Sequence, residues 1–373
     1  MADIKVSIAS PVIEEEEINA VIDVMKSGMI AQGPKVIEFE EEFAKFVGAK
    51  YGIATNSGTS ALHVALLAAG IGEGDEVITT PFTFVSTTHA IVRNGLTPVF
   101  CDINPITYCI DTTKIESLIT DKTCAIMPVH VYGNICDVEE IERIAKKYGL
   151  KVIYDAAHAF GEKYKGKGVM NYGDMSMLSF HATKVFHTIE GGAICYHKDE
   201  YKNAIYKLRD FGIKDEETID VIGSNAKMNE FAAAMGLCNL NHIDQEISKR
   251  KKAVELYRDL LKDLPGVQLN YIDENVSSNY AYFPVVIHED VAGYTRNEMA
   301  DYLKGKNIYA RKYFYPLTNA IDCFDGKFEL QQTPVALHIS KRVLTLPLFA
   351  DITEEEVRRV CSAFIEWKEK ANE

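Results

Sequence analysis

No stretch of about 18 or more apolar residues occurs in the chain, so a membrane-spanning helix is not expected. The opening MADIKVSIASPVIEEEE lacks the basic-then-apolar order of a secretory signal, and a cytoplasmic location is the default expectation. The eight cysteines include no C-x-x-C pair. That argues against a zinc site or a disulfide framework, and for reduced thiols used as small apolar groups. No metal is expected. Positive charge is in deficit: the net charge of −14 does not suit a protein that coats nucleic acid or anionic lipid. A few local cations still suffice for an anionic small substrate. No repeat or low-complexity segment interrupts the 373 residues, of which 47% are hydrophobic and 25% charged. These values fit a globular protein with one large and one smaller domain.

What is present is a regular alternation of patterns. EEEEINAVIDVMKSG and VIEFEEEFAKFVG read as helices ending at Gly28 and Gly48. From residue 51, Val/Ile-rich runs such as YGIAT, EVITTPF, TPVFCDI, TCAIMPVHV and LKVIYDAA alternate with helical segments. This is the signature of a largely parallel sheet covered on both faces. MSMLSFH and GGAICYH add two strands around ATKVFHTIE. A long helical stretch then begins near MNEFAAAMG and is expected to carry a boundary near residue 245, between a large domain 1–245 and a small α/β domain 246–373. The N-terminal segment is a candidate to pack on the small domain. Thr353 and Glu356 have capping-box spacing at the start of the last helix. The glycines of GIGEGDEV follow a helix and precede a strand, the reverse of a dinucleotide fingerprint, and read as a turn.

Four positions suggest chemistry. Lys184 lies in SFHATKVFHTIEGGA among apolar residues; a neutral amine there can attack an aldehyde, although a lone lysine in a loop is usually a surface residue. Asp155 ends a predicted strand, where open α/β sheets bind ligands, and can hold a protonated ring nitrogen; it can equally cap a helix. His158 can contact the same ring's oxygen or cap that helix. NSGTSAL is a strand, a turn of small residues and a helix start, an anion site to which Gly58, Thr59 and Ser60 contribute; Ser179 is a further hydroxyl donor. Phe84 can stack on a flat ring or pack in the core.

Taken in order, NSGTSAL, PFTFVSTTHAI, DAAHAFG, SFHATK and EGGA closely resemble the DegT-type nucleotide-sugar aminotransferases, from AQGPKVIEFEEEFAKF through VLTLPLF. The resemblance implies a fold-type I α/β architecture, with a mostly parallel seven-stranded sheet between helices. It implies pyridoxal 5′-phosphate (PLP) as cofactor, Lys184 as its Schiff-base lysine, Asp155 as the partner of its ring nitrogen and Phe84 as its stacking ring. Gly58, Thr59, Ser60 and Ser179 match the phosphate cradle. His158 stands where many members have glutamine. Asn225 matches an asparagine that reaches the phosphate from the neighbouring subunit of a homodimer. Lys227, in NAKM, replaces the usual arginine and offers a point charge in place of a bidentate contact. Lys227 and Arg311 are candidate cations for a substrate diphosphate, Arg311 being equally a candidate for a domain-linking ion pair. His181 is a candidate sugar contact or a supporting residue. HATKVFHTIEGG with DAAHAFG most resembles the branch that aminates a dTDP-linked 4-keto-6-deoxy sugar, with glutamate as donor and a ping-pong order. Amination at C3, PLP-dependent dehydration and a non-catalytic regulatory role are the alternatives. A histidine replaces the lysine in the related dehydratases, and Lys184 favours transfer.

Overall fold

The computed structural model describes residues 5–371. Seven strands form the main sheet: β1 (Tyr51–Thr55), β2 (Glu76–Thr79), β3 (Thr97–Phe100), β4 (Thr123–Met127), β5 (Lys151–Asp155), β6 (Met175–Ser179) and β7 (Gly192–Tyr196). Their order is β1-β7-β6-β5-β4-β2-β3. Strand β7 runs antiparallel to both neighbours, β1 and β6, and every other pairing is parallel. The expected seven-stranded, mostly parallel sheet between helices is therefore present.

Both faces of the sheet are buried, which is why its strands read as nearly continuous apolar runs. The two-residue period of a strand sorts their side chains. Val77, Ala125, Met127, Ile153, Met177 and Ile194 meet Leu62, Ala65, Ile91 and Ile205 from helices 58–68, 85–93 and 200–209. On the opposite face, Ile78, Ile126, Val152 and Tyr154 pack with Ile141 and Ile144 of helix 138–148. Leu178, Ala193 and Cys195 pack with Phe39, Phe43 and Ala233.

A second sheet joins β8 (Val267–Leu269), β9 (Phe283–Ile287) and β10 (Val343–Leu346), all antiparallel. Its cluster takes Met299 and Leu303 from helix 296–305, and Val357, Val360 and Phe364 from the last helix. The capping box expected at that helix is made: Thr353 N and Oγ1 donate to Glu356 Oε2 at 2.8 and 3.0 Å, and Glu356 N donates to Thr353 Oγ1 at 3.2 Å. Val6 sits in the same cluster and pairs with Ile308.

One helix, Glu230–Leu261, serves both cores. Its early residues Ala232, Ala233 and Ile243 pack with the large cluster, and Ala253, Val254, Tyr257 and Leu261 with the small one. It runs unbroken for 32 residues through position 245. Its first residue also serves helix Pro34–Val47, whose N-cap is Gly33 and has no side chain to offer. The carboxylate of Glu230, 2% exposed, accepts from Gly33 N, Lys35 N and Val36 N, each at 2.9 Å. An acidic group held on free N–H groups at a helix start is favoured by both hydrogen bonding and the helix dipole. Among the described residues, no helix is long and apolar enough to cross a membrane.

Candidate active site

Because β1, β2, β4, β5 and β6 run the same way, their carboxyl ends share one edge of the sheet, the position where open α/β sheets bind ligands. There a cleft of about 970 Å³ opens to solvent, lined by Ser57, Gly58, Thr59, Phe84, Asp155, His158, Ser179, His181, Lys184, Glu190, Tyr282, Arg311, Tyr313 and Phe314, among others. Nine residues singled out from the sequence thus meet in one space. Ser60, Asn225 and Lys227 do not line it.

The loop after β1 leads into helix 58–68, and its first turn faces the cleft. Ser57 caps the helix, its hydroxyl accepting from Ser60 N at 3.1 Å. Ser57 Oγ also donates to Ser60 Oγ at 2.9 Å, so the Ser60 hydroxyl is engaged inside the turn. Thr59 Oγ1 pairs with Ser86 Oγ at 2.9 Å. Glycine is required here by close approach: a Cβ on Gly58 would lie 2.9 Å from Ser179 Cβ, and one on Gly192 would lie 2.6 Å from Gly58 N. The result is a small concave nest of N–H and hydroxyl groups at a helix start, suited to a phosphate.

Asp155 ends β5 and is 3% exposed. Its Oδ2 accepts from Thr87 Oγ1 at 2.7 Å and its Oδ1 from Ala157 N at 3.1 Å. Thr83 Oγ1 lies 2.9 Å from Thr87 Oγ1 and extends the chain of hydroxyls. Burial raises the Asp155 pKa, and the hydrogen bonds and the Lys184 charge oppose that rise. The fit to a cation is direct, since a positive group beside this carboxylate would offset its lost solvation.

Lys184 is half-buried, and its Nζ donates to the Tyr282 hydroxyl at 3.3 Å. His158 is 5% exposed; its Nδ1 accepts from Tyr132 N at 3.0 Å, which leaves the other ring nitrogen, Nε2, as the donor. Burial first, and then the Lys184 charge, hold its pKa well below the usual histidine range, so the ring is neutral. His158 stacks on Phe314 with centroids 5.9 Å apart and touches Tyr282 at 4.6 Å.

Phe84 is 46% exposed, with its ring 6.4 Å from Tyr313, so it is available to a ligand and is not core packing. Arg311 lies over the Tyr313 ring at 4.4 Å from the guanidinium carbon. It has no ion pair among the described residues, and the domain-linking pair considered from sequence is not formed. His181 is exposed; its Nε2 is 3.4 Å from Glu190 Oε1 and its Nδ1 is 3.0 Å from Thr183 Oγ1. Lys227 is instead ion-paired with Asp210 and sits 4.5 Å from the Phe211 ring centre. Asn225 is exposed, and its carbonyl accepts from Asn56 Nδ2 at 2.9 Å.

Ser57, Thr87, Glu190 and Tyr282 were not read as site residues. The first three lie within motifs already quoted, and Ser57 carries the capping spacing of Ser-x-x-Ser. Tyr282 lies 98 positions from Lys184 and nothing local marks it.

The model of the DegT/DnrJ/EryC1/StrS aminotransferase family matches residues 11–365. The chain is 45% identical over 336 residues to the dTDP-4-amino-4,6-dideoxy-D-glucose transaminase of Shigella dysenteriae, covering 90% of this chain and 91% of that one. The crystal structure of DesI with its TDP-sugar product superposes with a TM-score of 0.92 at 32% identity, covering 98% of this chain and 93% of DesI. The PLP-form of Spr1654 from Streptococcus pneumoniae gives a TM-score of 0.92 at 26% identity, covering 99% and 100%. With the match running through nearly all of its length, the chain belongs to the DegT/DnrJ/EryC1/StrS aminotransferase family.

Proposed function

We propose that this protein is a PLP-dependent aminotransferase that moves an amino group from glutamate to a dTDP-linked 4-keto-6-deoxy sugar. The observation that carries the reading is that an amine, Lys184, and a buried carboxylate, Asp155, face one cleft beneath a phosphate-type helix start. The kinship to a dTDP-4-amino-4,6-dideoxy-D-glucose transaminase supports the choice of sugar.

PLP, when bound, supplies an aldehyde that captures amines and a protonated ring that accepts the electron pair of a carbanion. Lys184 Nζ would hold the cofactor and, as general base and then general acid, would take the proton from the α-carbon of the amino donor and later return one. Asp155 keeps the proton on the ring nitrogen, held in place by Thr87 and Ala157 N. The neutral His158, with Nδ1 already engaged, offers Nε2–H to the ring oxygen. Gly58, Thr59 and Ser179 receive the phosphate, Ser60 shapes the same turn, and the exposed Phe84 covers the ring. Arg311, with no carboxylate partner at the rim, receives the substrate diphosphate, and His181 with Glu190 faces the sugar. The same residues would serve both halves of the exchange, the first releasing the 2-oxo acid of glutamate and the second aminating the keto sugar, with bound PLP supplying the carrier for the amino group between them.

The division of labour extends to the whole chain. We assign residues 1–245 to the cofactor domain, with the N-terminal segment at Val6 packing on the small domain, and 246–373 to the small domain, a boundary inside helix Glu230–Leu261 where its contacts pass from one core to the other. We assign a homodimer, in which Asn225 and Lys227 of a second copy complete the site. Its support is a run of exposed apolar side chains on the first two helices, Ile18, Ile22, Met25 and Ile37, together with Met29 and Ile30 between them.

Incubation with dTDP-, UDP- and GDP-linked keto sugars and glutamate, read by mass spectrometry, tests the substrate. A dTDP-linked 4-amino sugar is expected, and failure to aminate any of them refutes the reading. Lys184→Ala is expected to abolish the lysine-dependent visible absorbance of bound PLP and at least 10²-fold of turnover, roughly the contribution of a general acid–base, whereas Lys167→Ala retains both.

A further inference from the structure

The amine of Lys184 has a partner that belongs to the other domain. Tyr282 stands just before β9, in the small sheet, and reaches across to the cleft. Lys184 Nζ donates to its hydroxyl at 3.3 Å. The tyrosine is itself fixed from three sides. Its ring contacts His158 at 4.6 Å, Tyr313 at 5.6 Å and Tyr132 at 5.8 Å between centroids. These contacts set the hydroxyl beside the amine. Among the described residues, no carboxylate forms an ion pair with Lys184.

Neutral pairing matters for what the amine must do. A carboxylate partner would hold a lysine as its ammonium and raise its pKa, which suits an acid and disables a base. A phenol oxygen accepts one N–H of the amine, so it orients the nitrogen without adding a second carboxylate to a cleft that already holds Asp155. We propose that Tyr282 is a positioning residue for proton transfer: it receives the Lys184 amine when that amine is not covalently engaged and aims its lone pair at the carbon to be deprotonated. The C–H bond breaks, its proton passing to Nζ to make an ammonium and its electron pair to the ring that bound PLP would supply, and a proton is returned from Nζ in the next step, so Tyr282 itself gains and loses nothing. This rests on the aminotransferase reading above. It also makes the small domain part of the proton-transfer machinery, because moving β9 away would remove the hydroxyl from the amine.

Tyr282→Phe keeps the ring and its three aromatic contacts and deletes only the hydroxyl. Holoenzyme loaded with PLP is mixed with glutamate, and the disappearance of the lysine-linked absorbance is followed in a single turnover. The variant is expected to bind PLP with a dissociation constant within about twofold of the wild type. Its half-reaction is expected to slow about tenfold, the rate equivalent of one hydrogen bond, at unchanged apparent affinity for glutamate. With α-deuterated glutamate the isotope effect is expected to increase, because deprotonation becomes rate-limiting. Tyr280→Phe, the same change two residues away and outside the cleft, is expected to behave as wild type. A Tyr282→Phe enzyme with wild-type half-reaction rate and isotope effect overturns the proposal. Weakened PLP binding with an unchanged isotope effect also overturns it, since it assigns Tyr282 to packing alone. If the wild-type holoenzyme is not converted by any amino donor, the aminotransferase reading itself fails, and the two failures are thereby told apart.

Discussion

Burial of single titrating groups sets how the protein responds to acid. His130 is fully buried, accepts from Cys136 N through Nδ1 at 3.1 Å, and stacks on Tyr154 at 4.7 Å. Burial lowers its pKa from 6.5 to about 3. His158 is lowered as well, by burial and by Lys184. In the unfolded chain both take up a proton below about 6.5, the ordinary histidine value, and in the folded protein they do not. The stability they confer is therefore present above that value and is lost as the pH falls toward the folded values. The slope is about 1.4 kcal/mol per pH unit for each histidine. Urea unfolding of the wild type and His130→Phe, which keeps a ring against Tyr154, should be compared at pH 7, 6 and 5; the variant's stability should fall less steeply with acid, by about one histidine's share. An unaltered slope in that variant would remove His130 from the account.

At the scale of elements, the clearest case is a helix that depends on a residue nearly two hundred positions away. Glu230 satisfies three N–H groups at the start of helix Pro34–Val47. Glu230→Ala leaves the buried Val36 N–H and the more open Gly33 and Lys35 N–H groups without this acceptor and is expected to cost about 1–3 kcal/mol, measured as a fall in the denaturant midpoint, whereas Glu230→Gln should cost less. A midpoint shift below about 0.5 kcal/mol would show that water replaces the carboxylate without loss. This dependence also explains what the sequence made legible. The strands, the helix start at Gly58 and the placement of Asp155 at a strand end follow from local periodicity and chain order, because parallel strands put their ends together. The Lys184 neighbourhood was readable for the same reason, being tied to β6 and β7. Glu230, Thr87 and Tyr282 were not readable in their roles, because each acts on a partner brought near only by the folded topology. The exposed Ile18, Ile22 and Met25 illustrate the converse: they follow helical spacing along EEEEINAVIDVMKSG, yet the residues that this helix buries within the chain are Glu17 and Val24.

At the scale of the whole molecule, that outward apolar face is the support for a homodimer. Met25→Glu with Ile37→Glu is expected to halve the mass seen by sedimentation equilibrium and to lower turnover by about tenfold or more, because a shared site would lose its second half. An unchanged mass in the double variant would count against this face. Within one chain, the helix Glu230–Leu261 couples the two cores differently from a flexible tether. At 1.5 Å per residue it is a rod about 48 Å long, rooted at one end beneath the main sheet and at the other beneath the small one. A rod transmits tilt and does not absorb it. Because Tyr257 near its far end stacks on Phe283 at 4.9 Å, a tilt of the rod would carry β9 with it, and with β9 the tyrosine that greets the lysine.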